Sequence, residues 1–507
     1  MRRPVAVAAG LLLVAALAYG VLIPWLGYYW DDWLVFSRGL SFDAVAHQDR
    51  PLLWEARELT GLALGARPLG WHLLALVARW LTAVACWALL DGLWPARRRE
   101  TVMAALLFLV YPGFSGQPLG AIYGHILLQL ALHLASFAVM VHGLRRPNLI
   151  VPSIVLSAAL LAGSLALSEY FVGLELLRPL LIWMTLKDSP RKAVLRWSPY
   201  LAVLSAYLVW RLFFFAAPAR YDTGSVASAF LNHPIAALAG RARIALADLV
   251  RLVPMAWARV LEPDALPVGW ESPRAVLLAW GIAGLAALAS GVLLFRQRED
   301  PDTAWAREGL LLGLAAVCLG QLPFWLSGRE VRLGTLFDRY ALPAAFGSAL
   351  VVTGLIAGLL RTPRQQAACA MVLVGLAAGL HVRNANGYRH DWEAQKSFFW
   401  QLSRRLPEVG CGARLRVSLG GQAMAYTADH ALAVPVNWMY PGHRGDCEIR
   451  VGAAAGDGIV IDYRPPACLR VLGAAKRTGG PRAAVPVEVF GKEPVEDGCY
   501  RGREGEQ

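Results

Sequence analysis

Apolar runs of roughly twenty residues recur from residue 5 to residue 382, joined by connections rich in arginine. A run of about 20 apolar residues, wound as a helix, spans the ~30 Å hydrocarbon core of a bilayer. By that criterion about eleven spans are expected. They cover Val5–Leu26, Leu69–Leu93, Val102–Phe114, Leu119–Val141, Leu149–Leu167, Tyr170–Leu186, Val194–Ala217, Ala275–Phe295, Leu310–Leu326, Tyr340–Leu360 and Ala367–Val382. The third is short, but Val102 to Val141 amounts to about 60 Å of helix, twice the membrane core, and so reads as a hairpin. Composition agrees: 57% of the 507 residues are hydrophobic and only 17% charged, where soluble domains carry about 25% charged residues. No single soluble core absorbs so much apolar sequence.

A net charge of +13 could suggest nucleic acid, but the positions of the charges argue against it. Alternate connections hold Arg97-Arg98-Arg99, Arg145-Arg146, then Lys187, Arg191, Lys192 and Arg196, then Arg296, Arg298 and Arg307, then Arg361 and Arg364. With eleven spans all of them share a side with Arg2 and Arg3, which the positive-inside bias assigns to the cytoplasm. The amino terminus is then inside, the carboxyl terminus outside, and the chain a multi-pass protein of a bacterial cytoplasmic membrane.

Two segments test that count. Met1–Gly20 resembles a cleavable signal peptide, whose removal would leave the next loop on the same outer face. The stretch Leu231–Leu261 is apolar but interrupted by Arg241, Arg243, Asp248, Arg251 and Arg259. Each charge costs roughly 2.5–3.5 kcal/mol at mid-bilayer, so an amphipathic helix on the outer surface is expected instead.

After residue 382 the composition changes. Arg414–Leu419 and Gly458–Tyr463 have strand-like character between Gly- and Pro-containing turns. Cys411, Cys447, Cys468 and Cys499 also lie here, whereas Cys86, Cys318 and Cys369 fall in expected spans as packing residues. The expected organisation is an all-α polytopic membrane bundle over residues 1–382, and a small β-containing extracytoplasmic domain over 383–507. Up to two disulfides, in any of three connectivities, fit an oxidising compartment.

The residues with chemical potential gather on the expected outer face. Directly after the first span comes Gly27-Tyr28-Tyr29-Trp30-Asp31-Asp32-Trp33. Carboxylates held at a hydrocarbon boundary by aromatic rings suit acid–base work on a substrate that is part lipid and part polar. Arg50 and Arg67 lie farther along the same loop, Glu169 at the turn between the fifth and sixth spans, and Arg339 at the start of the tenth. A guanidinium there can clamp a lipid-linked phosphate in bidentate fashion. His125, Gln129 and His133 form one helical stripe and His72 with Arg79 another, both expected to make interhelical hydrogen bonds. His125 and His133 are two turns and about 12 Å apart, too far for a shared metal. Zinc-type Cys/His spacing, a phosphate-cradling glycine loop and a nucleophile elbow are all missing from the sequence.

With these residues placed, the chain resembles the polyprenyl-phosphate-sugar-dependent glycosyltransferases of the GT-C superfamily, such as the protein O-mannosyltransferases, the lipid A aminoarabinose transferases and the lipopolysaccharide-core transferases. Asp31-Asp32 matches that family's aspartate motif in the first outer loop. Ser168-Glu169-Tyr170 followed by Leu176-Leu177-Arg178-Pro179-Leu180 is similar to its acid at the sixth span, and Tyr111-Pro112 with Tyr123-Gly124-His125 to the surroundings of its second outer loop. Where many members place a second acid, this chain has Gln117, which weakens any implied divalent-metal site. The resemblance implies sugar transfer from a polyprenyl-phosphate donor to a glycan, lipid or protein acceptor outside the membrane. Asp31 would act as general base, Asp32 would orient it or bind sugar hydroxyls, and Arg339, with Arg50, would stabilise the leaving phosphate. Two other readings compete. A flippase for lipid-linked sugars would commonly show duplicated halves, and an O-antigen polymerase or ligase would rely on arginines in late loops.

Overall fold

The computed structural model describes residues 2–38, 40–41, 50–187, 189–214, 223–262, 272–297, 304–419, 424–440, 447–452, 459–463, 469–472 and 483–490. Eight described helices are long and apolar enough to cross a membrane: Arg3–Trp25, Pro68–Leu93, Gly120–Leu144, Pro147–Leu167, Pro273–Phe295, Trp305–Leu326, Leu336–Leu359 and Pro363–Arg405. This is the construction of a multi-pass helical membrane protein. Pro147–Leu167 has only 22% of its apolar window buried, and Val151, Val155 and Leu156 project from it exposed. Such a contiguous apolar face has no stable place in water.

Three of the eleven expected spans fall short, each for a local reason. Val102–Phe114 corresponds to a helix over Arg98–Leu109, twelve residues long, or about 18 Å. In the Tyr170–Leu186 stretch a 3-10 turn over Val172–Leu177 comes first, followed by a nine-residue helix, Arg178–Leu186. Val194–Ala217 is helical as far as Phe214, through Pro190–Val209 and the π-helical turn Trp210–Phe214. It falls short in apolar character, because Arg191, Lys192 and Arg196 lie in the first turns of that helix and Arg211 near the end. Apolar composition alone did not reveal these interruptions.

By contacts the chain divides into two compact units: Met1–Val21 with Leu74–Gln117 and Tyr123–Asn384, and Leu22–Leu73 with Pro118–Ile122 and Ala385–Gln507. The second unit therefore includes the first loop as well as the tail. In the first unit, helices Ala304–Leu326 and Leu342–Leu359 pack closely. A Cβ at Gly313 would lie 2.8 Å from the carbonyl of Gly347, and one at Gly347 would lie 2.5 Å from that of Gly313. Only glycine permits that approach, as in small-residue contacts between membrane helices.

Of the expected interhelical bonds, those of Gln129, His133 and Arg79 are present in this unit, whereas His72, in the second unit, meets the loop carbonyl of Gly27 at 2.9 Å. Gln129 donates to the carbonyls of Ser164 and Ser168 at 2.9 and 2.6 Å and accepts from the Ser168 hydroxyl at 2.7 Å. His133 Nδ1 is 3.3 Å from Ser164 Oγ. Arg79 donates to the Leu109 carbonyl and to the Tyr19 hydroxyl. Within Leu231–Leu261 the main helix is Pro234–Val250. Asp248 there is fully buried, accepting from Arg251, Trp325 and the Val331 amide.

The second unit contains a four-stranded sheet: β1 Arg414–Leu419, β2 Arg450–Gly452, β3 Ile459–Tyr463 and β4 Arg470–Leu472, in the order β2-β1-β3-β4. β1 is parallel to β2 and β3, while β3 and β4 are antiparallel. A parallel β1–β2 pair needs a crossover, supplied by the helix Asp429–Met439. Leu415, Ile461 and Tyr463 are buried on the sheet. A disulfide joins Cys411 to Cys447, just ahead of β1 and β2. Cys468 and Cys499 lie outside the described residues.

Candidate functional site

The acid pair occupies a seven-residue 3-10 segment, Trp30–Phe36, in the second unit. The chain reaches it through Gly27, where a Cβ would sit 1.8 Å from the Trp392 ring, so glycine is required by the close approach. Trp30 then takes a left-handed backbone conformation, φ 42°. A bulky residue rarely stays there unless its surroundings hold it. Here its amide donates to the Tyr426 carbonyl at 3.2 Å and its indole N–H to the Thr427 carbonyl at 3.1 Å.

The two aspartates have opposite environments. Asp32 is completely buried. Its Oδ1 accepts from the Ile122 amide at 2.9 Å, in the first turn of Gly120–Leu144, and its Oδ2 from the Tyr29 amide at 3.4 Å. It thus caps one helix end in trans and closes its own segment. Burial pushes its carboxyl well above the usual carboxylate range, outweighing the amides of Ile122 and Tyr29, which favour ionisation; the nearby Asp31 charge raises it further. The Asp31 side chain is 33% exposed, and its Oδ1 lies 3.3 Å from Nε2 of His430.

Aromatic rings enclose the segment. Tyr388 and Tyr426 stack at 3.9 Å with planes 7° apart, and Trp30 meets Tyr426 edge-on at 5.1 Å. Tyr28 packs on Trp33 and Phe36 and donates to the Ala66 carbonyl. Burial raises the Tyr28 and Tyr29 hydroxyls, so both stay neutral, and the Tyr29 hydroxyl accepts from the Gly27 amide at 3.0 Å. Also in this unit, a groove of about 790 Å³ is lined by Phe36, Arg38, Arg57, Glu58, Trp438 and Glu488 among others. Arg57 reaches from it to the Ile122 carbonyl at 3.0 Å, at the residue whose amide caps Asp32.

The remaining sequence candidates divide between the units. Arg50, in the second, is the N-cap residue of the helix Pro51–Leu64. Arg67 is exposed, directly ahead of Pro68–Leu93. Glu169 and Arg339 belong to the first unit. Glu169 lies 4.0 Å from Arg211. Arg339 is half-buried in a 3-10 turn over Leu336–Ala341, over the Tyr340 ring and near Tyr170 and Tyr123. Its neighbour Asp338 is buried and accepts from both the amide and the hydroxyl of Ser115. Gln117 is also buried. Among the described residues no group of three or more His, Cys, Asp and Glu could hold a metal ion.

Scanned against protein-family models the chain matches none, and a search of the curated proteins finds no match. The resemblance drawn from motifs thus rests on the residues themselves.

Sequence reasoning missed three contributors. His430, Tyr388 and Tyr426 lie about 360–400 positions from the acid pair, and no local pattern links them to it. It also missed the fully buried Glu175–Arg178 pair in the first unit, whose N–O distances are 2.5 and 2.9 Å. The only sequence signal for that pair was two charges three residues apart inside an apolar stretch.

Proposed function

We propose that this protein is a membrane glycosyltransferase that moves a sugar from a polyprenyl-phosphate donor to an acceptor hydroxyl outside the cytoplasmic membrane. The observation that supports the reading best is the pairing of one accessible and one inaccessible carboxylate directly after the first apolar helix. A general base must reach the proton that it removes, and Asp31 has the exposure for it. Asp32 is completely buried with a backbone amide on each oxygen, so its part is to fix the segment, out of reach of sugar hydroxyls.

In the proposed reaction the Asp31 carboxylate takes the proton of the acceptor hydroxyl as that oxygen attacks the anomeric carbon. The bond from anomeric carbon to phosphate oxygen breaks, and its electron pair leaves with the polyprenyl phosphate. A half-buried guanidinium suits a charge-assisted, bidentate contact with a leaving phosphate, and Arg50 is the expected candidate in the same unit as Asp31. Trp30, half-buried next to Asp31, is the aromatic residue suited to pack against a sugar ring.

The test is transfer by the purified full chain in lipid, using a panel of undecaprenyl-phosphate-linked sugars, with surface glycans of a deletion strain compared by mass. Loss of one defined sugar from the glycans supports the reading. An unchanged glycan profile with lipid-linked sugar accumulating on the inner leaflet would replace it with a flippase.

A further inference from the structure

The acid segment is joined to the tail at a second chemical point besides the Trp30 hydrogen bonds. His430 is the second residue of the helix Asp429–Met439, and its Nε2 lies 3.3 Å from Asp31 Oδ1 with the imidazole only 19% exposed. The backbone that presents it is fixed from two sides. Carbonyls of Tyr426 and Thr427 accept both donors of Trp30, and the Tyr426 amide donates to Asp391 at 3.1 Å. Asp391 is held in turn by Gln395 at 2.8 Å. A strained tryptophan, a stacked tyrosine pair and a buried aspartate thus converge on the loop that delivers one imidazole to one carboxylate.

We propose that His430 is the positioning partner of Asp31. At 3.3 Å its Nε2 is within ion-pair reach of Oδ1, so a proton carried on that nitrogen steadies the carboxylate as it takes the proton of the acceptor hydroxyl. Whenever Asp31 is ionised and the ring neutral, an attractive contact requires the proton on Nε2. The logic is that of a reacting group oriented by a second residue, with the carboxylate as base and the imidazole as its orienter. The charged and titratable groups on the elements packed around His430 are Asp31 and Asp32 on the acid segment, Arg450 on β2, and Tyr426 and Asp429 in its own leading turn. Of these, Asp31 is at ion-pair distance.

This assignment rests on the proposed reaction, so the experiment has one arm that needs no sugar donor. Full-length wild type, His430→Ala and His430→Gln in lipid are treated with dicyclohexylcarbodiimide, which modifies protonated carboxyls, across a pH series. Labelling at Asp31 is read by peptide mass spectrometry. Removing the donor in His430→Ala should move the Asp31 labelling midpoint to higher pH, because a hydrogen bond to the ionised form favours it. His430→Gln keeps an N–H at the same reach and should stay nearer wild type.

In the transfer assay His430→Ala should lose about tenfold to a hundredfold in kcat, the range for one hydrogen bond to a charged group. The donor KM should be little changed, and His430→Gln should recover most of the loss. An Asp31 midpoint unmoved in His430→Ala overturns the proposal, as does a glutamine variant as impaired as the alanine. If wild type transfers no sugar from any donor in the panel, the glycosyltransferase reading fails, and the labelling arm still decides the Asp31–His430 contact.

Discussion

Replacing Asp32 with asparagine separates the two aspartates by their physics. Asparagine keeps an oxygen for the Ile122 amide but cannot ionise. Burial raises the folded-state pKa of Asp32 above the unfolded value, so between about pH 4, the unfolded carboxylate value, and that raised pKa the folded state binds the extra proton. Stability contributed by this group is therefore complete below the unfolded pKa and declines as pH rises through the folded one. Melting temperatures measured from pH 4 to pH 8 should fall less steeply in Asp32→Asn than in wild type; parallel curves would remove the assignment. Asp31→Asn should behave differently. Its carboxylate is partly exposed, so melting should change little while turnover on a lipid-linked donor drops by about 10²–10⁴, the usual contribution of general-base catalysis. Near-full turnover in Asp31→Asn would end its role as base.

Two elements depend on specific pairs. The disulfide closes a loop between Cys411 and Cys447, a separation of 36 residues, and joins the approaches to the parallel strands β1 and β2. The chain-entropy estimate for a loop of that length is about 4 kcal/mol. Cys447→Ala should therefore destabilise the tail measurably, seen as faster limited proteolysis between β1 and β2. Cys411 and Cys447 should resist alkylation until reductant is added, and ready labelling without reductant would contradict the bond. At the turn between Val172–Leu177 and Arg178–Leu186, Arg178 is bidentate to Glu175, donates to Ser136 and Ser157, and lies 4.0 Å over the Tyr200 ring. Removing one partner of a buried pair costs about 3–5 kcal/mol, while replacing both with apolar residues is often neutral. Arg178→Met should thus lower the melting temperature in detergent sharply, and Glu175→Met combined with Arg178→Met should recover most of it. Additive losses would show that the pair's wider hydrogen bonding, and not the stranded charge, dominates.

At the scale of the whole molecule, the number of crossings fixes which side each terminus occupies. Eleven spans put the termini on opposite sides of the membrane, whereas eight crossings would return them to the same side. The distribution of arginines between runs was the argument for opposite sides. It requires the segments around Arg98–Leu109, Val172–Leu186 and Pro190–Val209 to complete crossings as shorter or interrupted pieces. Single cysteines placed near Arg2 and near Glu408, probed with an impermeant maleimide in intact cells, decide between these. Labelling near Glu408 but not near Arg2 is the expected result. Identical accessibility at both positions would set the count at an even number, and labelling near Arg2 would withdraw the outward assignment of Asp31.

Hydropathy and the positions of proline by themselves determined most of the long helices. Pro68–Leu93, Gly120–Leu144, Pro273–Phe295 and Leu336–Leu359 begin and end within a few residues of the runs visible in the sequence, because a membrane helix satisfies its backbone internally and signals itself locally. Two strands of the tail were legible for the same kind of reason. The shortened and broken segments were not, since a 3-10 turn at Val172–Leu177 is held by buried partners that composition does not encode. The acid pair was conspicuous in the sequence, and the resemblance implied Asp31 as base, but the residues themselves carried no sign that two adjacent aspartates have opposite environments. That difference comes from partners distant along the chain: Ile122 buries and occupies Asp32, and His430 meets the more exposed Asp31. Local pattern selected the residue types, and only tertiary structure, through burial and hydrogen bonding across hundreds of residues, decided which carboxylate is open to react.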